Sequence, residues 1–259
     1  MPIEFQGRGR PLTQSGFHAA TAALDVTPAA LWALITVETR GFGYLPDRRP
    51  KILFERHIFH RRTGGRFDAT APDLSSPDAG GYSGDAAEYD RLARAIRLDR
   101  KAALESASWG LPQIMGFNAE SIGYASAEAM VQAFLDSEDA QLDGAVRFLT
   151  ANTALAKAFR AHDWATVARH YNGKDFAKNK YDIKLRDSHD RYAAGAAPDL
   201  AIRAAQARLT YLAVDPRGVD GVLGNGTRGA LRAFQKAQGL PVTGEPDEAT
   251  LARLEALAD

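Results

Sequence analysis

The 259-residue chain contains no cysteine, which excludes disulfides, thiol nucleophiles and thiolate metal sites. Net charge is missing too. The 32 Lys and Arg match 32 Asp and Glu, and residues 199–259 alone hold 7 against 8. Such balance leaves no electrostatic footprint of a nucleic-acid binder. No apolar run reaches the ~18 residues that a bilayer span needs, so no membrane insertion is expected. The opening MPIEFQGRGRPL lacks the apolar core of a secretory signal, and synthesis in the cytoplasm is the expectation. Common catalytic signatures are absent as well: there is no GxSxG, no HExxH and no Gly-rich loop ending in Gly-Lys-Ser/Thr. Of six histidines only His57 and His60 lie close together, without an acidic ligand pattern, so no metal is expected. GVLGNG at 221–226 follows no strand and reads as turns.

What the sequence does contain is helical periodicity. Thr27-Pro28 is a helix start, a capping hydroxyl followed by proline at the first helical position. Leu31, Leu34 and Ile35 then form an apolar stripe at i, i+3 and i+4, and the next position on that stripe is Glu38, just before Gly41 and Gly43. A carboxyl near a helix C-terminus faces the negative end of the dipole, and partial burial also disfavours its charge. Both effects favour a protonated acid, which glycosidic-bond cleavage requires. The plainer alternative is a Glu that pairs with Arg40 or Arg56 and anchors the helix. Glu55, in ILFERH, has apolar neighbours and is a candidate second carboxylate, with a salt bridge to a nearby arginine as its alternative.

The spacing predicts a short strand over 51–55, a helix over 57–62, and helices over 87–106, 126–152, 163–173 and 175–195. Residues 63–85 are rich in Gly, Pro, Ser and Asp and form a long loop of the functional or mobile kind. Residues 39–66 carry eight Lys and Arg against Asp47 and Glu55, either a solvated face or the rim of an anion-facing groove. GAAPD at 195–199 reads as a linker. Three short helices follow, with Leu209, Leu231, Phe234 and Leu254 available for one small core. The chain is thus mainly α with a small β region, in two self-contained patterns, 1–195 and 200–259, that are expected to work as separable units.

Three stretches, the helix-Glu-Thr-Arg-Gly of 31–41, SWGLPQIMGFNAESIGY at 108–124 and HYNGKDFAKNKYDIKL at 170–185, resemble the signature regions of the lysozyme-like superfamily. With PKILFERHIFHRRTG at 50–64, they resemble more closely the N-acetylmuramidase family of phage endolysins, over roughly residues 20–195. The resemblance implies a lysozyme-like α+β catalytic domain with Glu38 as the acid and Glu55 as second carboxylate. Gln113, Met115, Phe117 and Asn118 would line the sugar cleft, with Tyr171 and Asn172 near the acid. Residues 200–259 resemble the three-helix peptidoglycan-binding domain, which implies wall contacts at Asp220, Gly221 and Thr227; a generic helical dimerisation module is the alternative. The implied protein is a monomer without cofactor that hydrolyses the β-1,4 bond between N-acetylmuramic acid and N-acetylglucosamine. It would wait in the host cytoplasm and reach the periplasmic wall after holin-type release. A lytic transglycosylase, or a non-catalytic wall-binding protein with a structural Glu38, are the rival readings. The loop 63–85 has no clear counterpart in the most compact lysozymes, which leaves one cleft wall undefined.

Overall fold

The computed structural model describes residues 3–39, 41–173, 176–195 and 197–258, without the side chains of Asn172 and Phe176. Helix α1 (Gln14–Leu24) starts at Thr13, whose hydroxyl accepts from Gly16 N. Helix α2 (Pro28–Thr39) starts as its sequence predicts, with Thr27 Oγ1 accepting from Ala30 N at 3.2 Å. Every residue from Ala29 to Ile35 is buried. A helix that is apolar all round belongs inside a protein, and α2 is the central helix of this one.

The expected strand is β1 (Ile52–Phe54), which leads into α3 (Arg56–Thr63). The helix expected over 87–106 is two, α4 (Glu88–Leu98) and α5 (Arg100–Glu105), because the Asp99 side chain caps a new start by accepting from Ala102 N. Next, β2 (Ala107–Trp109) and β3 (Ile114–Met115) join β1 in an antiparallel sheet of order β1-β2-β3, with Ile52 opposite Trp109 and Ser108 opposite Met115. The same correction applies to 126–152. Ser137 accepts from Ala140 N and splits the segment into α6 (Ala127–Phe134) and α7 (Glu138–Ala151). Helix α8 (Thr153–Arg160) lies between the expected helices, and α9 (Trp164–Asn172) falls within the one expected over 163–173. A single 3₁₀ turn over Phe176–Asn179 delays α10 (Tyr181–Ala193), which packs along α2.

Two cores result. One surrounds α2 with Leu142, Leu149, Phe159 and Leu185; the other fills the space under the sheet with Phe54, Phe59, Leu92, Trp109 and Phe134. The C-terminal helices α11 (Leu200–Tyr211), α12 (Asn225–Ala237) and α13 (Glu248–Ala258) enclose a third around Leu209, Leu231, Phe234 and Leu254. The fold class is therefore as read from the sequence: mainly helical, with a small sheet and a three-helix C-terminal unit.

The C-terminal unit does not hang free. Phe42 and Tyr44 are buried together with Ala207 and Val219. Tyr211 Oη donates to Gly9 O at 2.6 Å, and Arg48 donates to Ala258 O. At the centre of the seam Arg203 and Glu138, both essentially inaccessible, form a two-pronged ion pair, with Nη1 to Oε2 at 2.5 Å and Nη2 to Oε1 at 2.6 Å. Glu138 also accepts from Leu12 N and Gly43 N, both at 2.9 Å, so its oxygens are fully satisfied.

Candidate active site

Glu38 sits in the last turn of α2, where the backbone carbonyls lack helical partners. Lys51 Nζ takes one of them, Thr39 O, at 3.2 Å, and so ties the helix end to the start of β1. Beyond it Gly41 turns with φ +90, a conformation that favours glycine. Gly43 passes so close to α7 that an added Cβ would run into the Gln141 amide and lie 2.8 Å from Leu111 N. At Gly43 the exit from the helix thus runs through a gap with no room for a side chain.

An open cleft of about 180 Å³ adjoins Glu38, lined also by Lys51, Ile52, Leu53, Asp85 and Gln113. The residue is half-buried as a whole, yet Oε1 is fully buried and has no hydrogen-bond partner among the described residues. Desolvation by burial raises its pKa from 4.5 to about 8. Among the described residues no arginine pairs with it; Arg56 instead donates to Asp78 O and Ala79 O, while Arg40 lies outside the described residues. Tyr171 is beside it: its Oη donates to Pro112 O at 2.9 Å, and burial followed by the Glu38 charge holds the phenol well above its ordinary value.

Glu55 occupies the N-cap of α3 at the other end of β1. Its carboxylate is held by the long loop, since Tyr82 Oη lies 3.1 Å from Oε1 and 3.0 Å from Oε2. His57 Nδ1 lies 3.1 Å from Oε2 but off the line of a hydrogen bond. The loop in turn is fixed by the buried Glu88, which accepts from Phe54 N at 3.1 Å, Gly84 N at 3.0 Å and Arg91 Nη1 at 2.9 Å. Loop 63–85 thus forms the wall beside Glu55 and delivers Asp85 to the Glu38 cleft. Glu55 itself is not among the residues lining that cleft.

Of the other predicted residues, Gln113 reaches the Glu38 cleft, held at φ +49 by Ser108 Oγ at 2.8 Å and by its own bonds to Gly110 O and Lys51 O. Met115 is half-buried on β3. Phe117 lines a separate groove with Ile58, Arg61 and Arg62, and the Arg62 guanidinium lies 5.2 Å from its ring centre. Asn118 is half-buried and accepts through its carbonyl from Ser121 Oγ. The Asn172 side chain lies outside the described residues. Lys51, Tyr82, Asp85 and Glu88 were not foreseen; Glu88 looks in sequence like one more charge in a helical first turn.

In the C-terminal unit, Asp220, Gly221 and Thr227 all serve the buried Gln206. Its Oε1 accepts from Asp220 N and Gly221 N, and its Nε2 lies 2.9 Å from both Asp220 Oδ1 and Thr227 Oγ1. Asp220 and Thr227 also line a shallow hollow of about 110 Å³ with Pro216 and Arg217.

The family model for N-acetylmuramidases matches residues 27–193, and the model for peptidoglycan-binding domains matches residues 199–254. Among solved structures, the Burkholderia AP3 phage endolysin is 45% identical, with a TM-score of 0.66 over 73% of this chain and 73% of that one. No curated protein matches. The matched span takes in α2, the sheet and both carboxylates, and the chain belongs to the N-acetylmuramidase family, glycoside hydrolases of the lysozyme type.

Proposed function

We propose that this chain is a peptidoglycan-degrading endolysin in which Glu38 is the general acid for cleavage of the β-1,4 bond between N-acetylmuramic acid and N-acetylglucosamine. One observation carries the reading. A carboxyl with a buried oxygen that has no partner among the described residues, and a pKa of about 8, borders an open cleft, so most of it is protonated at neutral pH. Such an acid donates its proton to the departing glycosidic oxygen as the sugar acquires oxocarbenium character. Glu55, held by Tyr82, is the second carboxylate, which orients water or stabilises the developing charge. Residues 200–259 anchor the catalytic unit, 1–195, to the wall, with Asp220, Gly221 and Thr227 shaping the contact loop, and Gln113, Phe117 and Tyr171 line or support the glycan path. A separate membrane-permeabilising protein delivers it to the periplasmic wall.

The position of Glu55 outside the Glu38 cleft favours one alternative, a lytic transglycosylase, for which a single acid suffices. Mass measurement of borohydride-treated digests of purified peptidoglycan decides between them. Hydrolysis leaves reducible N-acetylmuramic acid ends; unreducible 1,6-anhydro ends would replace the hydrolase reading, and intact sacculi would end both.

A further inference from the structure

The segment that leaves the Glu38 helix is clasped by the C-terminal unit. Arg203 of α11 donates through both Nε (2.9 Å) and Nη2 to Gly41 O, while Nη1 and Nη2 bind the Glu138 carboxylate that receives Gly43 N. Its guanidinium also lies 5.7 Å from the ring centre of Phe42, and that ring packs against Tyr211. Val219 O stands so near Gly41 that an added Cβ would come within 3.2 Å of it. Three consecutive residues after the catalytic helix, Gly41 to Gly43, are therefore fixed by groups 95 and 162 positions away in sequence. A wider cleft of about 320 Å³ runs along the same seam, and its polar side chains, Thr36, Arg191, Tyr192, Arg203 and Asp220, are already paired within the protein.

We propose that Arg203 is a positioning residue for Glu38: the wall-binding unit completes the active site by holding the exit of the catalytic helix through Gly41. The inference rests on Glu38 being the acid. A helix end held by one guanidinium fork sets where the carboxyl meets the glycosidic oxygen, and small misplacements of a catalytic group cost rate heavily. The two units then work as one enzyme, in place of the separable modules that the linker composition suggests.

The test uses the full chain and soluble, uncross-linked glycan fragments of peptidoglycan, so that anchoring to the sacculus does not enter the rate. Arg203→Lys keeps a cation opposite Glu138 but cannot span Glu138 and Gly41 O in a planar fork. The pair Arg203→Met with Glu138→Gln removes both charges together and leaves no lone buried ion. Both should fold, with kcat per folded molecule down about tenfold or more and KM near that of the parent. Folded variants with parental kcat, or a loss that follows only the folded fraction, would overturn the proposal. Glu38→Gln is run beside them: if it remains active, the acid assignment has failed, whereas an inactive Glu38→Gln with fully active Arg203 variants sinks the coupling alone.

Discussion

Replacing Glu38 with Gln should make the protein more stable and nearly inactive, and the stability gain should depend on pH. The carboxyl is raised from 4.5 to about 8 by burial. Between those values the folded protein holds a proton that the unfolded chain has released, so stability falls as pH rises through that window and levels off above it. At pH 7 the full difference amounts to about 3.4 kcal/mol at 1.36 kcal/mol per pH unit. Because the residue is only half-buried, solvent at the cleft mouth trims this to about 2–3 kcal/mol. Gln is neutral at every pH and escapes the cost. With about 2–4 °C per kcal/mol for a chain of this size, Glu38→Gln should melt roughly 5–10 °C above the parent at pH 7–8. Near pH 4.5 the two should nearly coincide. Calorimetric scans at both pH values measure this, and turbidity loss of permeabilised cells should fall by about 10²–10⁴-fold. A variant that melts lower at pH 8 while keeping its activity in the folded fraction would show a structural Glu38 and refute the reasoning.

The same raised acid places the alkaline limb of the parent's rate profile near pH 8, checked by kcat/KM against pH on soluble fragments. Tyr82→Phe removes the hydroxyl shared by both Glu55 oxygens and should slow turnover about fivefold, roughly 1 kcal/mol for one exposed charge-assisted hydrogen bond, with melting unchanged. Glu88 is burdened by burial, but backbone donors from Gly84, Ser83 and Phe54 and the Arg91 charge hold its pKa below the ordinary 4.5. Its contribution is complete above pH 4.5 and is lost as pH falls through the depressed value, so Glu88→Gln should flatten that acid limb in denaturant titrations. Gly43→Ala should destabilise by about 1–3 kcal/mol, read from the urea midpoint, because its methyl has no space beside Gln141 and Leu111.

What the sequence made legible was local. The Thr27 cap, the stripe ending at Glu38 and the glycines after it all lie within one helix and its exit, where spacing translates directly into geometry. The breaks at Asp99 and Ser137 were local as well, but the helical periodicity continues across them, and only the capping side chains reveal a new start. The strands β2 and β3 are three and two residues long, too short for alternation to show.

What the sequence hid was pairing over distance. Glu88 reads as an exposed first-turn charge until Phe54 N and the loop backbone are found on its oxygens. Glu138 and Arg203 read as two ordinary surface charges on separate helices, because nothing in either segment marks the other as its partner. Each belongs to a set of residues whose desolvation cost is met only when every member is in place, so losing one leaves the rest as uncompensated buried groups. One set fixes the loop at Glu55 after β1, and the other fixes the Gly41 exit of α2, beside the bond by which Lys51 ties Thr39 O to the start of β1. The Glu38 carboxyl is thus placed by one helix, while the exit of that helix is held by charges that only the folded chain brings together.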